Sequence, residues 1–179
     1  MSLRRRLITL SCVAALFAQP AHAQSAPVDS LSDSMRSLWR PIQQNIMRTA
    51  EQVPDSLYGY RPDSTVRTIG QLIGHVTNTH YNFCAPAIGG GRPTTPNHEQ
   101  LTSKAELVAA LRESIAFCDR AYSALTTTNG QEVIPMFGTR RPRLYVLVFN
   151  IAHDNEHYGN LVTYLRLLGM IPPSSQPRS

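Results

Sequence analysis

The sequence predicts an all-α fold, a four-helix bundle with a long crossover connection before the last helix. Three features predict it. Apolar residues recur at three- and four-residue spacings in four separate stretches. Residues that start and stop helices bracket those stretches, and no strand pattern competes with them. No internal repeat is present, and the domain that remains after an expected cleavage at the N-terminus is long enough to bury one sizeable core.

The first helix is expected from Asp29 to Gln52, where Leu31, Met35, Leu38, Trp39, Ile42, Ile46 and Ala50 mark an apolar stripe. Pro41 lies inside it, and proline removes a backbone donor and crowds the preceding turn, so a kink near Leu38 or a restart at Pro41 is expected. Val53 to Val66 holds Pro54, Gly59 and Pro62 and reads as a loop, with Tyr58 and Tyr60 available as anchors. The second helix runs from about Thr68 to Ala85, its buried face marked by Ile69, Leu72, Ile73, Val76 and Phe83. A glycine- and proline-rich connection carrying His98 follows. Ser103, with Glu106 three residues on, opens the third helix as a capping box, and that helix ends around Leu125. Thr126 to Arg141 is a long connection that suits a crossover or a flap over a site. The fourth helix begins near Pro142 and ends at Leu168, with Gly169 as terminator and Pro172-Pro173 preventing resumption. Its expected inward stripe is Val146, Phe149, His153, His157, Leu161, Tyr164 and Leu168, widened by Leu144, Leu147 and Ile151.

Residues 1–23 read as an export signal: three arginines, an apolar run from Leu7 to Phe17, and Ala21-His22-Ala23 as the cleavage pattern. The apolar run falls short of the ~20 residues that a bilayer crossing needs, and the surroundings of Cys12 do not match a lipid attachment site. The expected product is therefore a periplasmic or secreted domain over 24–179 with no stable membrane anchor. Losing three arginines leaves 14 basic against 12 acidic residues, a formal charge of +2 instead of +5. No basic stripe remains beyond Arg140, Arg141 and Arg143, which counts against nucleic acid as a partner. Two of three cysteines remain, Cys84 and Cys118, and an even count in an oxidising compartment points to one disulfide, with two buried free thiols as the alternative.

The chemistry centres on His153-Asp154-Asn155-Glu156-His157. Two histidines four apart on a helix stand about 6 Å apart along the axis on nearly one face, so both imidazoles can reach one ion. Taken singly, each is also readable as a core histidine satisfied by hydrogen bonds. A further ligand must come from His75, His80 or His98, of which His75 has the best helical context. His80 points about 140° from His75, so one ion does not suit both. The His-Glu-x-x-His protease pattern fails, because Asp154 follows His153. The inverted His-x-x-Glu-His pattern is present through Glu156, but no acidic residue follows His157 to complete it.

The run from His153 to Arg166, ending in Gly169-Met170-Ile171-Pro172-Pro173, resembles the last helix of the DinB/YfiT-like superfamily of metal-binding proteins. The Tyr58-Gly59-Tyr60-Arg61-Pro62 loop and Ile69-Gly70-Gln71-Leu72-Ile73-Gly74-His75 are also similar, so the resemblance covers about Leu31 to Pro173. It implies a four-helix bundle and a divalent ion held by His75, His153 and His157. It also makes Asn160, a glutamine in many relatives, and Glu156 candidates for contacts behind the ligands. Nitrogen donors suit zinc or nickel, with iron also compatible. The resemblance implies a metal-dependent hydrolase or transferase acting on a small molecule, the alternative being a non-catalytic metal-binding or ligand-sequestering bundle. Asp154 and Glu156 read as partners of ligands or as surface ion pairs, and no general base is evident. An open cavity walled by the Thr126–Arg141 connection would favour the enzyme. A homodimer is compatible with the fold.

Overall fold

The computed structural model describes residues 30–177. The expected signal peptide, the polar leader after it and Asp29 lie outside the described residues. Helix α1 spans Ser30–Gln52, α2 Ile69–Ile88, α3 Lys104–Ser123 and α4 Arg143–Leu167, with the short strands β1 (Val133–Met136) and β2 (Thr139–Pro142) before α4. Their boundaries follow local chemistry. Thr68 and Gln71 cap α2 reciprocally, the Thr68 hydroxyl accepting from the Gln71 N–H at 3.1 Å and the Gln71 amide oxygen from the Thr68 N–H at 3.0 Å. At the end of α4, Gly169 takes φ +72°, which lets the Met170 N–H reach back to the Leu165 carbonyl at 2.9 Å.

Two prolines are tolerated inside helices. α1 continues through Pro41 as one element, so the expected restart does not occur; Pro41 stands on the exposed side. α2 extends past Ala85 through Pro86 to Ile88 and stops at Gly89, whose φ is +86°. The expected absence of strands is corrected by the β1–β2 hairpin, in which Met136 pairs Thr139 and Phe137-Gly138 forms the two-residue loop. Both loop residues have positive φ, 45° and 74°, the turn whose twist matches paired strands. Four-residue strands holding Pro135 and Pro142 are too short and irregular to show alternation.

The core has two apolar clusters along the bundle. One gathers Ile42, Ile46, Ile69, Ile73, Leu107 and Leu161; the other gathers Trp39, Phe83, Cys84, Cys118, Tyr122 and Leu147. Each helix contributes a buried polar residue to a layer within this core: Gln43 on α1, His80 on α2, Ser114 on α3 and Asp154 on α4. Asp154 Oδ2 accepts from Gln43 Nε2 at 2.8 Å and lies 3.3 Å from His80 Nε2, while His80 Nδ1 is 2.8 Å from the Ser114 hydroxyl. Because Asp154 lies at the middle of the buried face of α4, the stripe is rotated from the expected one and Phe149 is left 40% exposed. Leu38, expected inside, is exposed as well.

Cys84 and Cys118 form a disulfide between α2 and α3, with Cα atoms 5.2 Å apart and 34 residues of sequence separation. Closing a loop of that length in the unfolded chain is worth about 3–4 kcal/mol in the chain-entropy model. The Cys84→Ala/Cys118→Ala double variant should therefore unfold at lower urea with a stability loss of that order, and an unchanged midpoint would refute the contribution.

Candidate metal centre

α2 presents His75 and α4 presents His153 and His157 to one point. His153 Nε2 lies 3.2 Å from His75 Nε2 and 3.0 Å from His157 Nε2, and one donor nitrogen from each lies within 4.8 Å of the others. Imidazole nitrogens bound tetrahedrally at 2.0–2.1 Å from an ion would stand about 3.4 Å apart. The donor set and its spacing therefore fit a divalent metal ion.

The ring of His75 is set from behind. Its Nδ1 lies 2.7 Å from Glu99 Oε1, and Arg67 Nε donates to Glu99 Oε2 at 3.0 Å. A carboxylate at Nδ1 keeps the proton there and leaves the Nε2 lone pair toward the cluster. Glu99 was not singled out from the sequence; it sits on a short turn, His98–Gln100, whose position depends on α2. That turn approaches α2 at Gly74, where a Cβ would lie 2.3 Å from the His98 carbonyl oxygen. Asn78 holds the same turn through the His98 N–H, at 3.1 Å, and His98 Nδ1, at 2.8 Å. His98 is buried over Tyr81 and stands outside the cluster.

On α4, Nδ1 of His153 and Nδ1 of His157 are buried without a hydrogen bond. The nearest acid is Asp154, whose Oδ1 is 3.7 Å from His153 Nδ1 and is itself without a hydrogen bond. Asp154 is therefore a buried anchor and no surface residue. Burial works against its charge, but His80 and His153 outweigh that and hold the carboxyl below its ordinary range. Glu99 is lowered too, burial being overcome by Arg67 and His75. The imidazoles shift the other way: burial lowers His75 despite Glu99, and burial with the charges of His153, His75 and Arg67 pushes His157 down to about 4. At neutral pH these two rings are neutral donors beside ionised carboxylates.

A cleft of about 560 Å³ opens beside His157, lined among others by Arg61, Arg67, Glu99, Glu156 and Asn160. Glu156 and Asn160, expected behind the ligands, are exposed on its wall, and neither hydrogen-bonds a histidine. The wall comes from the 61–67 loop in place of the Thr126–Arg141 connection. That connection instead places Phe137 edge-on to Phe83 at 5.2 Å, and Phe83 lies 5.6 Å from the His153 ring.

The sequence pattern of the DinB superfamily matches residues 39–161. The crystal structure of a DinB-like protein from Bacillus cereus is similar over 79% of this chain and 95% of its own, with TM-score 0.68 and 18% identity. A mycothiol-dependent maleylpyruvate isomerase is similar over 74% of this chain, with TM-score 0.61 and 16% identity; the chain spans 61% of that protein. No curated protein sequence matches the chain.

Two outcomes follow from this geometry. Gly74→Ala should push the His98–Gln100 turn off α2, costing roughly 1–3 kcal/mol and loosening His75 through Glu99; unchanged thermal stability and metal affinity would contradict the close approach. Second, an unfolded histidine titrates near its ordinary 6.5, whereas folded His157 titrates at about 4. Between those values the unfolded chain takes up a proton that the folded chain refuses, so this contribution to stability is present above about pH 6.5 and lost as pH falls to about 4. Melting temperatures of the metal-free protein from pH 7 to 4 should show that decline, and His157→Gln should flatten it.

Proposed function

The chain belongs to the DinB superfamily, and on that premise we propose that it is an exported hydrolase or transferase working through a divalent ion on His75, His153 and His157. Zinc or nickel suits the three nitrogen donors best, and iron is also compatible. The observation that carries this reading is the convergence of three Nε2 atoms, two of the pairs at 3.0 and 3.2 Å, next to an open polar cleft. Three imidazole donors leave an open position, and an ion bound there would acidify water or a thiol and polarise an electrophile.

The chain supplies the rest. Glu99 fixes the proton of His75 on Nδ1 and is itself held by Arg67, so the ring arrives oriented. Asp154, tied to Gln43, keeps negative charge behind His153. Glu156 lines the cleft with no hydrogen-bond partner among the described residues and offers a free carboxylate to accept a proton from a nucleophile there. The cleft volume suits a small-molecule substrate. One structural neighbour is a mycothiol-dependent isomerase, which favours testing thiols among the nucleophiles. Export is supported by the N-terminal pattern, with the disulfide compatible with it. Among the described residues no helix is long and apolar enough to cross a membrane.

The test is metal content by mass spectrometry on the mature, untagged protein, followed by cobalt substitution. About one ion per chain, lost in His75→Ala and His153→Ala, is expected. Added azide or a small thiol should then change the visible cobalt spectrum. No stoichiometric metal after reconstitution would overturn the site. A spectrum indifferent to both additives would leave an ion that only braces α2 against α4.

A further inference from the structure

The cleft beside His157 also bears on the substrate, an inference that rests on the reading above. Two arginines of the 61–67 loop line it together with Ser64, Thr65 and, from α4, Asn160. Arg67 gives its Nε to Glu99, and its two terminal amino groups make no hydrogen bond among the described residues. Arg61 is exposed and makes no hydrogen bond among the described residues, its charge acting on the exposed Asp63 of the same loop. A guanidinium has five N–H donors in a planar fork, and an unspent fork matches the two oxygens of a carboxylate. The same residue that lends its free edge to the cleft also holds Glu99, and Glu99 holds His75, so an anion on Arg67 would sit beside the histidine cluster.

Charge narrows the class. Arg61 and Arg67 share the lining with Glu99 and Glu156, so the protein side of the cleft is formally neutral. Glu99 is occupied by Arg67 and His75, whereas Glu156 is unpaired and repels a second negative charge. A singly charged, planar group is favoured there over a phosphate dianion.

We propose that the cleft takes a small carboxylate-bearing substrate whose carboxylate is held by Arg61 and Arg67 while its reacting end lies against His157. The binding does not require the ion, which separates this proposal from the metal reading. The mature chain, both chelator-treated and zinc-loaded, would be titrated with propionate and benzoate, with their neutral amides, and with inorganic phosphate. Nitrogen-edited NMR would follow the arginine Nε–H signals. Saturable shifts of Arg61 and Arg67 by the carboxylates alone are expected in both forms, weakened about tenfold or more in Arg61→Gln. Arg61→Gln should keep its zinc content and its melting temperature. Failure of the carboxylates to shift the arginines, equal binding of the amides, or tighter binding of phosphate would each overturn the proposal. Loss of zinc stoichiometry with arginine shifts intact would instead count against the metal site alone.

Discussion

The fold depends on a single polar layer that all four helices share. A fully buried carboxylate costs several kcal/mol unless its lone pairs are met, and Asp154 meets part of that cost with Gln43 from α1 and His80 from α2, while Ser114 of α3 holds the far nitrogen of His80. Apolar clusters tolerate small slips of one helix along another, because dispersion contacts have no direction. Four hydrogen-bonding groups on four helices do not. A slip that parts Gln43 from Asp154 leaves a buried charge with one donor fewer, so the layer fixes the relative height of the helices. The histidine cluster inherits that precision. His153 is the residue next to Asp154, and His157 is one turn further along the same helix.

His75 is positioned by a different device, one of shape. Gly74 lets the backbone of the His98–Gln100 turn lie against α2 at a distance no side chain permits, and that contact delivers Glu99 to the Nδ1 of the neighbouring residue on the helix. The two carboxylates then behave differently. Glu99 makes a short, direct hydrogen bond to His75, while Asp154 stands farther from His153 and spends its other oxygen on the core. His75 is thus oriented by a loop, and His153 and His157 by the bundle itself.

Much of the fold was legible because helix ends are local events. Thr68, Ser103, Pro142 and Gly169 act within a turn of where they stand, and the predicted helices agree with the observed ones to within about a turn. The three histidines were legible from spacing and from resemblance. Glu99 was not, since it is brought to His75 by a close approach between segments 24 residues apart, and nothing periodic marks it. Asp154 was misplaced for a related reason. Helical periodicity ranks positions by hydrophobicity and so centres the stripe on Phe149 and His153, whereas the packed helix turns a charged residue inward because Gln43 of α1 and His80 of α2 await it. Phe149 was displaced to the edge by the same rotation. The hairpin was missed because a turn with positive φ at Phe137 departs from the usual asparagine or aspartate there.

That rotation of α4 also makes the surroundings of the cluster unequal. Turning Phe149 outward brings it against Phe83, and the hairpin sets Phe137 edge-on to the same ring. Phe83 faces His153, so this side of the cluster is walled by aromatic edges. The opposite side, at His157, faces arginine, glutamate and asparagine across open space. An incoming molecule at His157 meets the cluster from the 61–67 loop, where polar groups replace its water; a second cleft, lined by Asn78, Asn82 and Arg92, reaches His75, while Phe83 covers His153. A cluster covered by Phe83 at His153 and open to polar clefts at His157 and His75 has its electrostatic interactions strengthened on the covered side without being sealed from solvent. The buried aspartate that sets helix height thus also determines, through the face it gives α4, that His153 lies against Phe83 while His157 lines the cleft beside the 61–67 loop.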